Sequence, residues 1–300
     1  MNRVMLHFNT ISDLCKASGF PPPAHSQISL IAGLTACPLD GRPFTTNCYL
    51  ISLKRFKDGV MLYGRTAYDH NNGSLSFVKP RQIVEFRNLD LEEDSFMICM
   101  HEDYLNGHPL QREIQQYHYF DYETTEALHL APREEQIVWD LFRKIDAEYN
   151  NNQDEYSRII ILTHIDSILK YALRFYKRQF INRAVLSGST ITMFNNLISD
   201  HIRTVDLHGE GLPSVRSIAA KLHLSPRYLS DLLKQETGKT AIELIHIALI
   251  NEAKNRLRTE RQNVSEVAFQ LGFENPSYFT RVFKKQTGIT PEAYKRRLLN

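Results

Sequence analysis

Long apolar runs are missing from this 300-residue chain. No stretch approaches the roughly 18 consecutive apolar residues of a membrane-spanning helix. The opening MNRVMLHFNTISDLC holds no hydrophobic segment of signal-peptide length. A cytoplasmic protein with no membrane partner is therefore expected. Cysteine is scarce: Cys15, Cys37, Cys48 and Cys99 all fall in the first third, and no two are spaced C-x-x-C. That argues against a zinc ribbon or a thioredoxin-type motif and predicts reduced, partly buried thiols.

The N-terminal half also lacks a G-x-S-x-G elbow, a P-loop and a dinucleotide fingerprint. Its histidines (His7, His25, His70, His101, His108, His118 and His129) are dispersed, and none forms H-x-H. His118-Tyr119-Phe120-Asp121 only loosely imitates paired ligands on one strand, so no metal site and no cofactor are expected. The sequence does not decide whether His70 or His101 faces a pocket.

A strong charge of one sign is absent too, with Lys and Arg numbering 36 against 34 Asp and Glu. The distribution is less even than the total. Residues 205–300 carry 15 Lys/Arg and 10 Asp/Glu, leaving 21 and 24 for the rest. The basic excess thus lies in the last third, as a segment that meets phosphates would have it, although a solvated surface has the same signature.

What the chain does contain is one stretch written twice. VRSIAAKLHLSPRYLSDLLKQETGKTAIEL, from Val215, is echoed by VSEVAFQLGFENPSYFTRVFKKQTGITPEAY, from Val264. Val215 matches Val264, Ile218 matches Val267, Ala219 matches Ala268 and Leu222 matches Leu271. After one extra residue, Tyr228 matches Tyr278, Lys234 matches Lys284 and Thr237-Gly238 matches Thr287-Gly288. Two copies are too few for a solenoid, and each reads as helix, tight turn, helix.

Three regions are predicted. Residues 1–130 alternate short β-like runs with turn residues: Gln27–Ala36, Cys48–Leu53, Val60–Gly64, Ser74–Val78, Ile83–Phe86 and Phe96–Met100. That spacing predicts a small antiparallel β-barrel with no helix of useful length, and a hairpin turn at Asn71-Asn72-Gly73. Residues 131–185 predict an αα-hairpin. Its first helix opens on Pro132 with Glu134 and Glu135 in the first turn. Its second runs from about Glu155 to Gln179 with Ile161, Leu162, Ile165, Ile168, Leu169, Ala172 and Phe175 as an apolar stripe. Such a stripe is either plain core beside the barrel or a dimer surface, and its width, with Ile159 and Ile160 beside it, favours dimerisation. Residues 186–300 predict an all-α domain, with a short helix to about Arg203 and a flexible linker at about 204–212. The fold class expected is α+β: barrel plus helical hairpin, then two helix-turn-helix units joined by a linker helix.

Within each unit the second helix, about 226–235 and 276–285, is the candidate to enter a DNA major groove. Ser225 and Asn275 precede Pro226 and Pro276, a capping residue followed by proline at N1. Candidate DNA-contacting residues are Ser225, Arg227, Tyr228, Ser230 and Lys234 in the first unit. In the second they are Asn275, Ser277, Tyr278, Thr280, Arg281 and Lys284. Arg, Ser and Thr can donate to base edges, whereas Lys suits phosphate. Leu229, Leu232, Leu233, Phe279, Val282 and Phe283 are expected in the core. Asp231 stands where the second copy has Arg281, so the first unit should read DNA less strongly or differently. Gly272 supplies the permissive turn position that His223 fills in the first copy. Between the units, Thr240 and Glu243 predict a capped helix to about Leu257.

The segments LPSVRSIAAKLHLSPRYLSDLLKQETGKTA, IELIHIALINEAKNRL and SEVAFQLGFENPSYFTRVFKKQTGITPEAY resemble the DNA-binding domain of AraC/XylS-type bacterial transcription regulators over residues 199–297. The run from Gly272 to Tyr294 carries the likeness most specifically. What the resemblance implies is binding to double-stranded promoter DNA and activation through contacts with RNA polymerase. It also implies an N-terminal cupin-like sensor for a small-molecule effector; the local match is GSLSFVKPRQIVEF, Gly73 to Phe86. A homodimer is implied as well, while no ligand-binding residue carries over. The alternatives are a ligand-independent regulator whose N-terminal half only dimerises, and an enzyme. The enzyme would be a metal cupin or a methyl-accepting repair protein fused to a DNA-binding tail; the second needs a clustered, metal-tuned cysteine.

Overall fold

The computed structural model of the chain describes residues 5–33, 39, 42–54, 61–63, 66–68, 73–84, 95–122, 126–152, 154–187, 190–208, 211–259 and 263–299. By internal contacts it falls into two units, Met1–Gln179 and Phe180–Asn300.

In the N-terminal unit, strand β1 (Leu6–Phe8) and helix α1 (Ile11–Ala17) precede β2 (Ile28–Ala32), β3 (Phe44–Thr46) and β4 (Cys48–Lys54). Next come β5 (Met61–Tyr63), β6 (Thr66–Tyr68), β7 (Ser74–Val78), β8 (Phe96–His101), the short α2 (Leu110–Glu113) and β9 (Leu128–His129). Helices α3 (Pro132–Tyr149) and α4 (Ser157–Ser187) follow. Five strands make one antiparallel sheet in the order β2-β8-β4-β7-β9, while β1 pairs with β3 in parallel and β5 with β6. Strands β4 and β8 are buried at every residue but their last. A central strand covered on both faces reads as a continuous apolar run, which is why CYLISL and FMICM do not alternate.

On one face of this sheet Phe8, Ile11, Leu14, Phe44, Leu50 and Met97 share a core with Cys15, Cys48 and Cys99. On the other, Phe96 stacks on Phe142 of α3 at 3.9 Å and meets Trp139 edge-on. The α4 stripe is buried within the chain itself, with Ile161, Leu162, Ile165, Ile168, Leu169, Ala172 and Phe175 all out of solvent. Two arginines tie that helix to the segment after β8, to β9 and to α3. Arg158 donates to the Tyr104 and Asn106 carbonyls, and Arg178 donates to Glu134 and to the His129 carbonyl.

Several expectations need correction. A closed barrel is not formed among the described residues: the five-stranded sheet is open, with β2 and β9 at its edges. The hairpin expected around Asn71-Asn72-Gly73 does not pair its flanking strands. β6 pairs with β5, and β7 with β4 and β9. Residues 71–72 themselves lie outside the described residues, as do His70 and Cys37. Of Ile83–Phe86, only Val84 forms a bridge, to Phe44, and residues 85–86 are not described. Helices do occur before residue 130. α1 is capped by Thr10, whose hydroxyl accepts from the Asp13 N–H, and it buries Ile11, Leu14 and Cys15. Short helical turns span Glu102–Leu105, Ile114–Gln116 and His118–Asp121. Segments this short gain their order from burial rather than from periodicity.

The C-terminal unit is helical: α5 (Thr190–His208), α6 (Val215–Lys221), α7 (Pro226–Thr237), α8 (Ala241–Thr259), α9 (Val264–Gln270), α10 (Pro276–Thr287) and α11 (Pro291–Leu299). Helix α5 runs to His208, so residues 204–208 of the expected flexible linker are helical. Helix α8 packs against α5, α7, α9, α10 and α11 and buries Ile245, Leu249, Ile250, Ala253 and Leu257. Nineteen residues at 1.5 Å each make it about 28 Å long.

Candidate nucleic-acid interface

Each helix-turn-helix is set by local chemistry. The Ser214 hydroxyl accepts from the Ser217 N–H and starts α6, which buries Ile218 and Ala219. The chain then turns through His223 at φ 56°. Ser225 accepts from the Tyr228 N–H, Pro226 takes N1, and α7 ends on left-handed Gly238. In the second unit Asn263 and Glu266 exchange two 2.8 Å bonds, the reciprocal box that starts α9. Gly272 turns at φ 84°, Asn275 accepts from the Ser277 N–H, and α10 ends on Gly288. The linker helix carries the same box, with the Glu243 carboxylate taking the Thr240 N–H at 2.8 Å. That bond holds Glu243 below the usual carboxylate range.

The buried faces of α7 and α10 fix which residues remain outside. Leu229, Leu232 and Leu233 fill the first unit; Phe279, Val282 and Phe283 fill the second, with Phe273 and Phe279 edge-to-face at 5.1 Å. What is left on α7 is Arg227, Ser230, Asp231 and Lys234. On α10 it is Ser277, Tyr278, Thr280, Arg281 and Lys284, with Lys285 beyond. Asn275 is exposed at the start of α10. Ser230 donates its hydroxyl back to the Pro226 carbonyl, which leaves it an acceptor.

Two expected contact residues are removed from this face. Tyr228 is 0% exposed, its ring edge-on to Phe180 at 5.1 Å, so it is packing. Ser225 is 3% exposed and its oxygen is occupied by the cap. The aligned Tyr278 is different. It stays half-buried, and its hydroxyl lies 3.2 Å from His246 Nε2 on α8.

The electrostatics of the two helices also diverge. Arg227 and Asp231 stand one turn apart with Nε 3.7 Å from Oδ2, so the acid partly neutralises the only arginine on α7. Arg281 has its guanidinium 5.7 Å from the Tyr278 ring centre, a cation–π arrangement. His246, missed by sequence reasoning, sits beside this pair. Burial and the neighbouring Lys285 push its pKa down, against a smaller opposing pull from Glu243. The one signal for it was its place on the inner side of α8, four residues before the buried Ile250. Arg256 is a strut rather than a free cation, bonding Glu252 at 3.1 Å and reaching Gln270 on α9.

In the N-terminal unit a cavity of about 260 Å³ is lined by Tyr49, Lys79, Arg81, Glu102, Gln115 and Asp121, among others. Arg81 is ion-paired with Glu102, and Lys79 with Asp121. The described thiols are poor nucleophiles. Burial raises Cys15 and Cys99 and pushes Cys48 up to about 11, the reverse of what an alkyl-accepting cysteine needs.

Two capped helix-turn-helix units on one linker helix, each presenting a polar, partly cationic face, form a tandem helix-turn-helix domain. Comparison with known proteins agrees: residues 218–297 match the helix-turn-helix domain family. Over 111 residues the chain is 35% identical to the transcriptional regulatory protein YesN of Bacillus subtilis, covering 31% of this chain and 30% of that protein. Over 98 residues it is 36% identical to the arabinose operon regulatory protein of Salmonella typhimurium, covering 33% of each. It is also 35% identical over 78 residues to the HTH-type transcriptional activator RhaR of Pectobacterium atrosepticum, covering 26% of this chain and 28% of that one. The chain thus spans about a third of the length of the relatives it matches. Residues 218–297 are a helix-turn-helix domain similar to that of relatives named as transcription regulators. Among the described residues no helix is long and apolar enough to cross a membrane.

Proposed function

We propose that the protein is a sequence-specific regulator that activates transcription at promoters, gripping duplex DNA with α7 and α10 in successive major grooves. The observation that carries this reading is the pairing of two exposed helix faces, Arg227 to Lys234 and Ser277 to Lys284, on one α8 rod about 28 Å long. One turn of duplex is about 34 Å, and a rigid linker of comparable length is what two helices need to enter adjacent grooves on one side of the DNA with modest bending. Activation is supported by the name of one relative, a transcriptional activator, and contact with RNA polymerase is part of the same proposal.

In this reading the N-terminal unit is the sensor of a small-molecule effector, supported by the polar cavity beside Tyr49. Homodimerisation runs through α4, where Ile159, Ile160, Leu173 and Ile181 are exposed apolar side chains, with Tyr156 exposed just before its start.

The test is selection of duplexes from a random library by the full chain, followed by footprinting on the selected sequence. Two protected stretches about one helical turn apart are expected. A single stretch, or no enrichment, overturns the two-groove reading. Arg281→Ala should weaken the selected complex by about 1–3 kcal/mol; an unchanged affinity removes Arg281 from base reading. Sedimentation of the full chain and of Ile159→Glu should give a dimer and a monomer. A wild-type monomer at micromolar concentration refutes the α4 interface.

A further inference from the structure

The second reading helix carries a device that the first one lacks. Arg281 and Tyr278 lie three residues apart on α10, so their side chains meet on one face of that helix. The guanidinium sits 5.7 Å from the centre of the ring. The ring in turn is held from two sides. Phe273, in the turn, meets it at 5.9 Å, and its hydroxyl is 3.2 Å from His246 Nε2 on the linker helix. The imidazole is itself half-buried, with Lys285 of α10 and Glu243 of α8 as the charged groups acting on it. A flexible arginine is thereby backed by a ring whose position is set by another helix.

The first unit shows that this arrangement is not forced by the motif. Its aligned tyrosine, Tyr228, is wholly buried on Phe180. The position aligned with Arg281 is Asp231, which pairs with Arg227. A buried tyrosine in that unit leaves no ring to support a reading side chain.

From these contacts we propose that His246 and Tyr278 are positioning residues for Arg281, so that the base preference of the second unit is set partly from the linker helix. The inference rests on the reading of Arg281 as a base contact. Without support, an arginine at an exposed helix position samples many rotamers, and ordering it on a base costs entropy at the moment of binding. A ring already placed beneath the guanidinium reduces that cost. It does so only for contacts that need a fixed direction, which means base edges and not phosphates.

The experiment is a double-mutant cycle on the full chain, using a duplex selected by the wild type and a scrambled duplex of equal length. Tyr278→Phe keeps the ring and loses the hydroxyl; His246→Gln can still bond to the hydroxyl, and His246→Ala cannot. Tyr278→Phe and His246→Ala should each weaken the selected complex about 3- to 10-fold, the range of one hydrogen bond, with the scrambled complex unchanged. His246→Gln should recover most of the loss. In an Arg281→Ala background both losses should vanish, because nothing remains to be positioned. Equal losses on both duplexes, or losses that persist without Arg281, mean that His246 and Tyr278 only hold the domain together and overturn the proposal. If Arg281→Ala itself changes nothing on the selected duplex, the base-reading assignment fails first. Loss with Arg281→Ala but none with Tyr278→Phe or His246→Ala overturns the positioning role alone.

Discussion

Replacing Gly272 by alanine places two separate costs on one methyl group. The first is conformational: at φ 84° an L side chain stands in the left-handed region, which costs roughly 1–2 kcal/mol. The second is steric. A Cβ at this position would lie 2.9 Å from the Gly211 carbonyl carbon, 3.0 Å from its oxygen and 3.1 Å from the Leu212 nitrogen. These are backbone atoms, and the Gly211 oxygen is itself fixed by a 2.8 Å bond from His201 Nε2 on α5. They have nowhere cheap to go, so overpacking adds about 1–3 kcal/mol. The expected total is about 2–5 kcal/mol, a large share of the roughly 5–15 kcal/mol that holds a domain folded. His223, at the same place in the first unit, is the control. It already carries a side chain at φ 56°, and His223→Gly trades relief of strain for extra freedom of the unfolded chain. That exchange should move stability by less than about 1 kcal/mol. Calorimetry of the full chain should show the transition of the C-terminal unit falling by on the order of 10 °C for Gly272→Ala, with His223→Gly near wild type. A shift for Gly272→Ala as small as that for His223→Gly would refute the close-approach argument.

Three further outcomes are expected. Asp231→Asn removes the acid from the α7 face and frees Arg227, so affinity for any duplex should rise a few-fold at low salt and less at high salt, read by fluorescence anisotropy; weaker or unchanged binding sinks the view of Asp231 as a brake. His246 and His164 both resist protonation in the folded protein. The unfolded chain therefore takes up protons first, so stability is full above the ordinary histidine pKa of about 6.5 and is lost as pH falls through it. Denaturation at stepped pH should show this slope, and His246→Gln should remove part of it; a slope of opposite sign contradicts the assigned burial. Asn263→Ala breaks the box that starts α9 and should cost about 1 kcal/mol by chemical denaturation, whereas no measurable change would mean water caps the helix as well.

The tandem motif was legible because its signals are local. Ser225-Pro226 and Asn275-Pro276 start helices, Gly238 and Gly288 end them, and the apolar positions between point one way. Asp231 was legible as an acid out of place, and its spacing from Arg227 is that of an i,i+4 pair. The different fates of Tyr228 and Tyr278 were not. Each is decided by a residue distant in sequence, Phe180 in one case and His246 in the other, and no local pattern carries that. The sheet was legible as strands but not as an order. Strands β4 and β8, buried on both faces, lack the alternation that reveals which side faces the core. Helix α1 was missed for a related reason: seven residues are too few to establish a period, and its capping Thr10 reads equally as a turn.

Helix α8 has a consequence for the binding site itself. Helices α7 and α10 both pack on this one continuous rod, which buries Leu249, Ala253 and Leu257 and contains no glycine or proline. In the proposed two-groove reading, the separation and the rotational phase of the two contacts belong to the protein and not to the DNA. One base pair inserted between the contacted stretches moves the far one by about 3.4 Å and turns it by about 34°. The rod cannot follow. Operators for such a protein should drift in letters long before they drift in length, and they should evolve as one indivisible block rather than as two exchangeable half-sites.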